Sequence, residues 1–96
     1  MSRLDTINII QNYFKDTPVF RAYLFGSFAR YEKTNNDIDI LIEIDKNERV
    51  SLLDLANFKM DLEDKIKRTI DIVPLRALNE RIKLLIEKDK ILIYER

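Results

Sequence analysis

The chain has 96 residues, of which 46% are hydrophobic and 35% charged, a balance that excludes a disordered polymer and predicts one small domain with a modest core. Its 17 basic and 17 acidic residues cancel, so the bulk positive field that draws proteins onto nucleic acid is missing. Cysteine and histidine are both absent, which excludes disulfides, thiolate chemistry and the usual nitrogen and sulfur ligands of zinc; a metal would have to be held by oxygen. No apolar run approaches the roughly 18 residues of a membrane span, and Met1-Ser2-Arg3-Leu4-Asp5 lacks the apolar core of a signal peptide, so the expected location is the cytoplasm.

Taken in chain order, Leu4, Ile7, Ile10, Tyr13 and Phe14 recur at helical spacing between Ser2 and about Lys15, with Ser2 and Asp5 placed as a capping box. Beyond Pro18, Val19 to Phe25 is rich in β-branched and aromatic residues and reads as a first strand. Gly26-Ser27 then opens a short helix from Phe28 to Glu32, with Ser27 able to cap it, and Lys33 to Asn36 reads as a turn. Ile38 to Ile44 is apolar apart from Asp39 and Glu43, the pattern of a largely buried second strand. Ser51 to Arg68 carries Leu52, Leu55, Ala56, Lys59, Leu62, Lys65 and Ile66 in a helical rhythm. Thr69 to Val73 predicts a third strand stopped by Pro74, Leu78 to Lys88 a last helix, and Ile91 to Tyr94 a last strand. With one glycine, two prolines and no repeat, nothing marks an internal boundary, and residues 1–96 read as one αβαβαβαβ domain.

Three features carry chemistry. Leu24-Phe25-Gly26-Ser27 runs a strand into a turn whose amides and hydroxyl can face an anion, with no Cβ at Gly26 to hold phosphate away; a plain helix cap is the blander alternative. A single glycine cannot supply a dinucleotide fingerprint or a P-loop. In Asp37-Ile38-Asp39 the carboxylates at i and i+2 share one strand face, about 7 Å apart at Cα, and their repulsion is relieved by a hard cation such as Mg²⁺; a solvated strand face is the alternative. Asp71 interrupts Thr69-Ile70-Asp71-Ile72-Val73, where aspartate is disfavoured unless it caps, lies at an edge or does something. If the second and third strands are neighbours, Asp71 can face Asp37 and Asp39. Three carboxylates near a phosphate-binding turn suit two-metal phosphoryl chemistry with one carboxylate accepting a hydroxyl proton.

Leu24-Phe25-Gly26-Ser27-Phe28-Ala29-Arg30 followed by Asp37-Ile38-Asp39-Ile40-Leu41-Ile42 resembles the Gly-Ser and Asp-x-Asp signature of the polymerase-beta-like nucleotidyltransferases. It is most similar to the minimal nucleotidyltransferases that serve as antitoxins beside HEPN-domain toxins, and Ile70-Asp71-Ile72-Val73 resembles their third acidic strand. The resemblance implies an α/β (α+β) nucleotidyltransferase fold, a small mixed sheet of about four strands with helices packed on it. It implies that Gly26 and Ser27 hold the triphosphate, that Asp37 and Asp39 bind Mg²⁺, two ions in all, and that Asp71 completes the metal-binding triad as base. Arg30 matches a basic position that touches phosphate. The implied reaction moves AMP, or another nucleoside monophosphate, from ATP or a related triphosphate to a hydroxyl, a tyrosine of a HEPN toxin. The alternative is an antitoxin that neutralises its partner by binding alone. Balanced charge argues against a nucleic-acid acceptor, although Lys65, Lys67 and Arg68 could make a local basic patch, and an oligomer stays open. Three positions depart from the pattern: the Ser27 to Asp37 spacing is one residue short, Tyr31 stands where glycine is common, and Asn36 replaces a common serine.

Overall fold

The computed structural model describes residues 1–30 and 37–96, without the Ser27 side chain. The expected turn at Lys33 to Asn36 and the departures at Tyr31 and Asn36 lie outside the described residues. Helix α1 spans Arg3–Phe14, strand β1 Val19–Phe25, helix α2 Gly26–Ala29, strand β2 Ile38–Ile44, helix α3 Leu52–Ile66, strand β3 Ile70–Pro74, helix α4 Glu80–Glu87 and strand β4 Ile91–Glu95, with a 3₁₀ turn at Leu75–Ala77 between β3 and α4. The strands form one mixed sheet in the order β3-β2-β1-β4, with β1 antiparallel to β2 and β4, and β3 parallel to β2.

Both longer helices start at a full capping box. Ser2 Oγ accepts from the Asp5 amide at 3.1 Å while the Ser2 amide donates back to Asp5 at 3.4 Å, and Ser51 and Asp54 repeat the exchange at 3.1 and 2.9 Å. Helix α1 turns Thr6, Ile10 and Phe14 inward; Ile10 and Phe14 lie where the helical spacing placed them, while Thr6 joins them and Leu4 is left 66% exposed. Thr6 tolerates burial because its hydroxyl donates to the Ser2 carbonyl at 3.0 Å. Helix α3 buries Phe58, Leu62 and Ile66, and ends where Lys67 adopts φ 62° and donates its amide to the Glu63 carbonyl at 2.8 Å.

Other boundaries shift for local reasons. Helix α2 begins at Gly26 with Phe25 in the cap position and no side-chain cap, so Ser27 lies inside the helix and not before it. Pro74 closes β3 as its last residue instead of stopping it, which an edge strand allows because a proline there needs no second partner. The helix expected from Leu78 to Lys88 starts two residues later, at Glu80, because Asn79 caps it, its side chain accepting from the Ile82 amide at 2.9 Å.

One sheet face packs Ala22, Leu24, Ile38, Ile40, Ile42, Ile70 and Ile93 against α1 and α3. The other packs Tyr23 and Leu41 against Ile86 of α4. Strand β2 therefore buries one whole face and, on the other, Leu41, which is why only Asp39 and Glu43 interrupt its hydrophobic run.

Candidate active site

Parallel pairing of β2 and β3 sets Asp39 directly opposite Asp71, and Asp37, the residue before β2, lies near enough for its charge to act on Asp39. Antiparallel pairing of β1 and β2 sets Phe25 opposite Asp39, which brings the next residue, Gly26, onto the Asp39 carboxylate. A Cβ built on Gly26 would fall on Asp39 Oδ2, and Gly26 has φ +75°, a conformation that side chains rarely adopt. The missing Cβ thus makes room first for the aspartate, a reason the sequence does not disclose.

The Asp39 carboxyl is pushed above its ordinary value, chiefly by burial and then by the negative charges of Asp71 and Asp37, with Arg30 opposing. Arg30 donates to Asp89 Oδ2 at 2.7 Å, which ties α2 to the residues following α4. Asp71 is half exposed, and Lys59 Nζ lies 3.7 Å from its Oδ1. The same ammonium donates to Glu63 Oε2 at 3.0 Å and to the Ile70 carbonyl at 2.5 Å. The Ile70 amide and then Lys59 hold the Glu63 carboxyl below its ordinary value.

The three sequence-predicted aspartates and Gly26 are therefore brought to one end of one sheet face, with Arg30 close enough to act on Asp39. The Ser27 side chain lies outside the described residues. Among the described residues no three acidic groups close on one point as a metal cage would. The donor set nevertheless fits Mg²⁺, which typically takes one or two carboxylates and draws its other oxygens from phosphate and water. Asp37 and Asp39 supply those two, and the negative charges of Asp71 and Asp37, which after burial help to raise the Asp39 carboxyl, are a repulsion that a cation would relieve. Of the three basic residues, Lys65 lines a cleft of about 890 Å³ between α1 and α3, Lys67 pairs with Asp64 at 3.5 Å and lines a smaller hollow together with Arg68, and Arg68 lies over the Phe28 ring. That cleft contains none of the aspartates of the site.

Lys59, Glu63 and Asp89 escaped sequence reasoning. Lys59 and Glu63 stand four apart on a helix, a spacing shared by many plain surface pairs, and Asp89 sits in a charged turn with no signal of its own.

A family model described as polymerase beta, nucleotidyltransferase matches residues 8–96. A Methanocaldococcus jannaschii protein assigned as a protein adenylyltransferase is 41% identical over 66 residues, 68% of this chain and 69% of its own length. A solved structure assigned as a minimal nucleotidyltransferase has a TM-score of 0.77 at 27% identity, covering 92% of this chain and 89% of its own. The Shewanella oneidensis complex of a tri-AMPylated HEPN toxin with its MNT antitoxin includes a chain that matches with a TM-score of 0.78 at 18% identity, over 99% of this chain and 74% of its own, a likeness of fold. The chain belongs to the polymerase-beta nucleotidyltransferase family.

Proposed function

We propose that this nucleotidyltransferase moves AMP from ATP to a tyrosine hydroxyl of a HEPN-type toxin, and so acts as the toxin's antitoxin. The observation that carries the reading is the register that sets Asp39 against both Gly26 and Asp71. The relative assigned as a protein adenylyltransferase supports the reaction, and the fold shared with a toxin–antitoxin complex supports the partner. In this reading the Gly26-Ser27 backbone faces the triphosphate, and Arg30, close enough to act on Asp39, balances phosphate charge. Asp37 and Asp39 would hold Mg²⁺, which when bound neutralises charge on the phosphate oxygens. Asp71 accepts the proton of the phenol as its oxygen bonds to the α-phosphorus; the bond from that phosphorus to the bridging oxygen breaks, and pyrophosphate leaves. A phenol, with an ordinary pKa of about 10, is an easier proton donor than an aliphatic alcohol. The reading places the protein in the cytoplasm. Separately, among the described residues no helix is long and apolar enough to cross a membrane.

A second reading is favoured by one observation: Lys59 already pairs with Asp71 and Asp89 with Arg30, as in a protein that binds its partner without chemistry. The two separate in one experiment. The co-expressed neighbouring toxin is incubated with this protein, ATP and Mg²⁺, and its intact mass and toxicity are followed beside an Asp39→Asn variant. Transfer predicts an added adenylyl mass on a tyrosine, lost by at least about a hundredfold in rate for Asp39→Asn. Neutralisation with no added mass, equally strong in the variant, would sink the enzymatic reading.

A further inference from the structure

The strand that carries Asp71 is held from outside the sheet. Strand β3 has one strand neighbour, β2, towards which the Thr69 carbonyl accepts from the Ile38 amide at 2.9 Å. On its other edge Ile70 meets two side chains of α3. Its amide donates to Glu63 Oε2 at 3.0 Å, and its carbonyl accepts from Lys59 Nζ at 2.5 Å. A carboxylate and an ammonium thus stand where the carbonyl and amide of a further strand would stand. They also bond each other at 3.0 Å. An exposed ion pair four residues apart on a helix is worth little by itself. This one differs because both members end on the backbone of an edge strand, whose outward groups otherwise fray into water. The residue after Ile70 is Asp71, and the clamping ammonium lies 3.7 Å from its carboxylate.

We propose that Lys59 and Glu63 are positioning residues: they clamp Ile70 so that Asp71 stays opposite Asp39 with its carboxylate aimed at the acceptor. The proposal rests on the reading of Asp71 as the proton acceptor. It separates two halves of the site, since the clamp touches β3 and leaves the turn at Gly26 alone.

The test compares Lys59→Met, Glu63→Met and Lys59→Arg with the parent and with Asp71→Asn. Amide hydrogen exchange at Ile70 is measured on the protein alone, and kcat and the KM for ATP are measured on the co-purified toxin. Both Met variants should speed Ile70 exchange at least about tenfold while Ile40, in the middle of β2, keeps its protection. Their kcat should fall about ten- to a hundredfold with the KM for ATP within about twofold, and Lys59→Arg should restore most of both. Unchanged Ile70 exchange in both Met variants overturns the clamp, and needs no activity to be read. A loss shared with Ile40 overturns it too, because the residues would then serve general stability. Parent kcat in both Met variants with Asp71→Asn inactive rejects the positioning role alone. Full transfer by Asp71→Asn rejects the role of Asp71 and, with it, any positioning of it.

Discussion

At the scale of single residues, the site turns on how closely Asp39 and Gly26 approach. Any side chain at position 26 meets the end of the Asp39 carboxylate, a movable group, so the fold can yield by displacing the ligand. Gly26→Ala should therefore lose about 1–2 kcal/mol through its φ of +75° and, in addition, lose nucleotide transfer by on the order of a hundredfold. Ser27→Ala should cost transfer less, because the backbone amides of the turn remain. Denaturant midpoints and ATP affinities of the two variants check this, and equal, unimpaired ATP binding in both would remove the turn from the site. The types and spacing of Asp37, Asp39, Asp71 and Gly26 were readable because hard-cation chemistry needs carboxylates and close backbone needs glycine. Why the glycine is needed was not readable, since the neighbour that fills its space lies on another strand.

At the scale of elements, most of the chain announced itself. Strands β1 and β2 stand where the residue types placed them, because a β-branched run and an apolar run both suit a sheet packed on two faces. The last helix lies within its expected span but starts two residues into it, for its cap is Asn79, a residue type equally at home in loops, and the 3₁₀ turn before it has no periodic signature. The end of α3 was hidden for another reason. Its C-cap is Lys67 in the left-handed region, where glycine is usual, so the ordinary stop signal is absent from the sequence. That position carries strain which substitution can relieve. Lys67→Gly should raise stability by about 1 kcal/mol, because the lost exposed pair with Asp64 contributes little. A urea midpoint that stays level or falls would show that the αL conformation costs nothing here.

At the scale of the whole molecule, the sheet has two unequal faces. Helices α1 and α3 cover one with the main core, while on the other Ile86 of α4 packs over Tyr23 and Leu41, and the aspartates occupy one end of that second face. Strand order could not be read from periodicity; whether β2 and β3 were neighbours was the condition on which the three-aspartate site depended, and the parallel register met it. The second face also holds the group through which the fold should sense alkaline pH. The Tyr23 hydroxyl donates to Glu43 Oε1 at 2.7 Å, Arg21 bonds both Glu43 and Glu95, and Lys90 Nζ sits 4.5 Å from the centre of the Tyr23 ring. Burial, and next the bond to Glu43, push the Tyr23 phenol from 10.0 up to about 12. An acid whose pKa is higher in the folded state binds its proton more tightly there, so its contribution is complete below pH ~10, the value in the unfolded chain. As pH rises towards about 12 the unfolded chain releases the proton first, and the contribution is lost. Tyr23→Phe removes both the hydroxyl and this dependence. The parent should therefore exceed Tyr23→Phe by about 1 kcal/mol at pH ~8, with the gap closing between pH ~10 and ~12. Urea midpoints of the two proteins across that range give the answer directly: other tyrosines titrate equally in both, so a gap that stays constant with pH would mean that Tyr23 keeps an ordinary pKa in the fold.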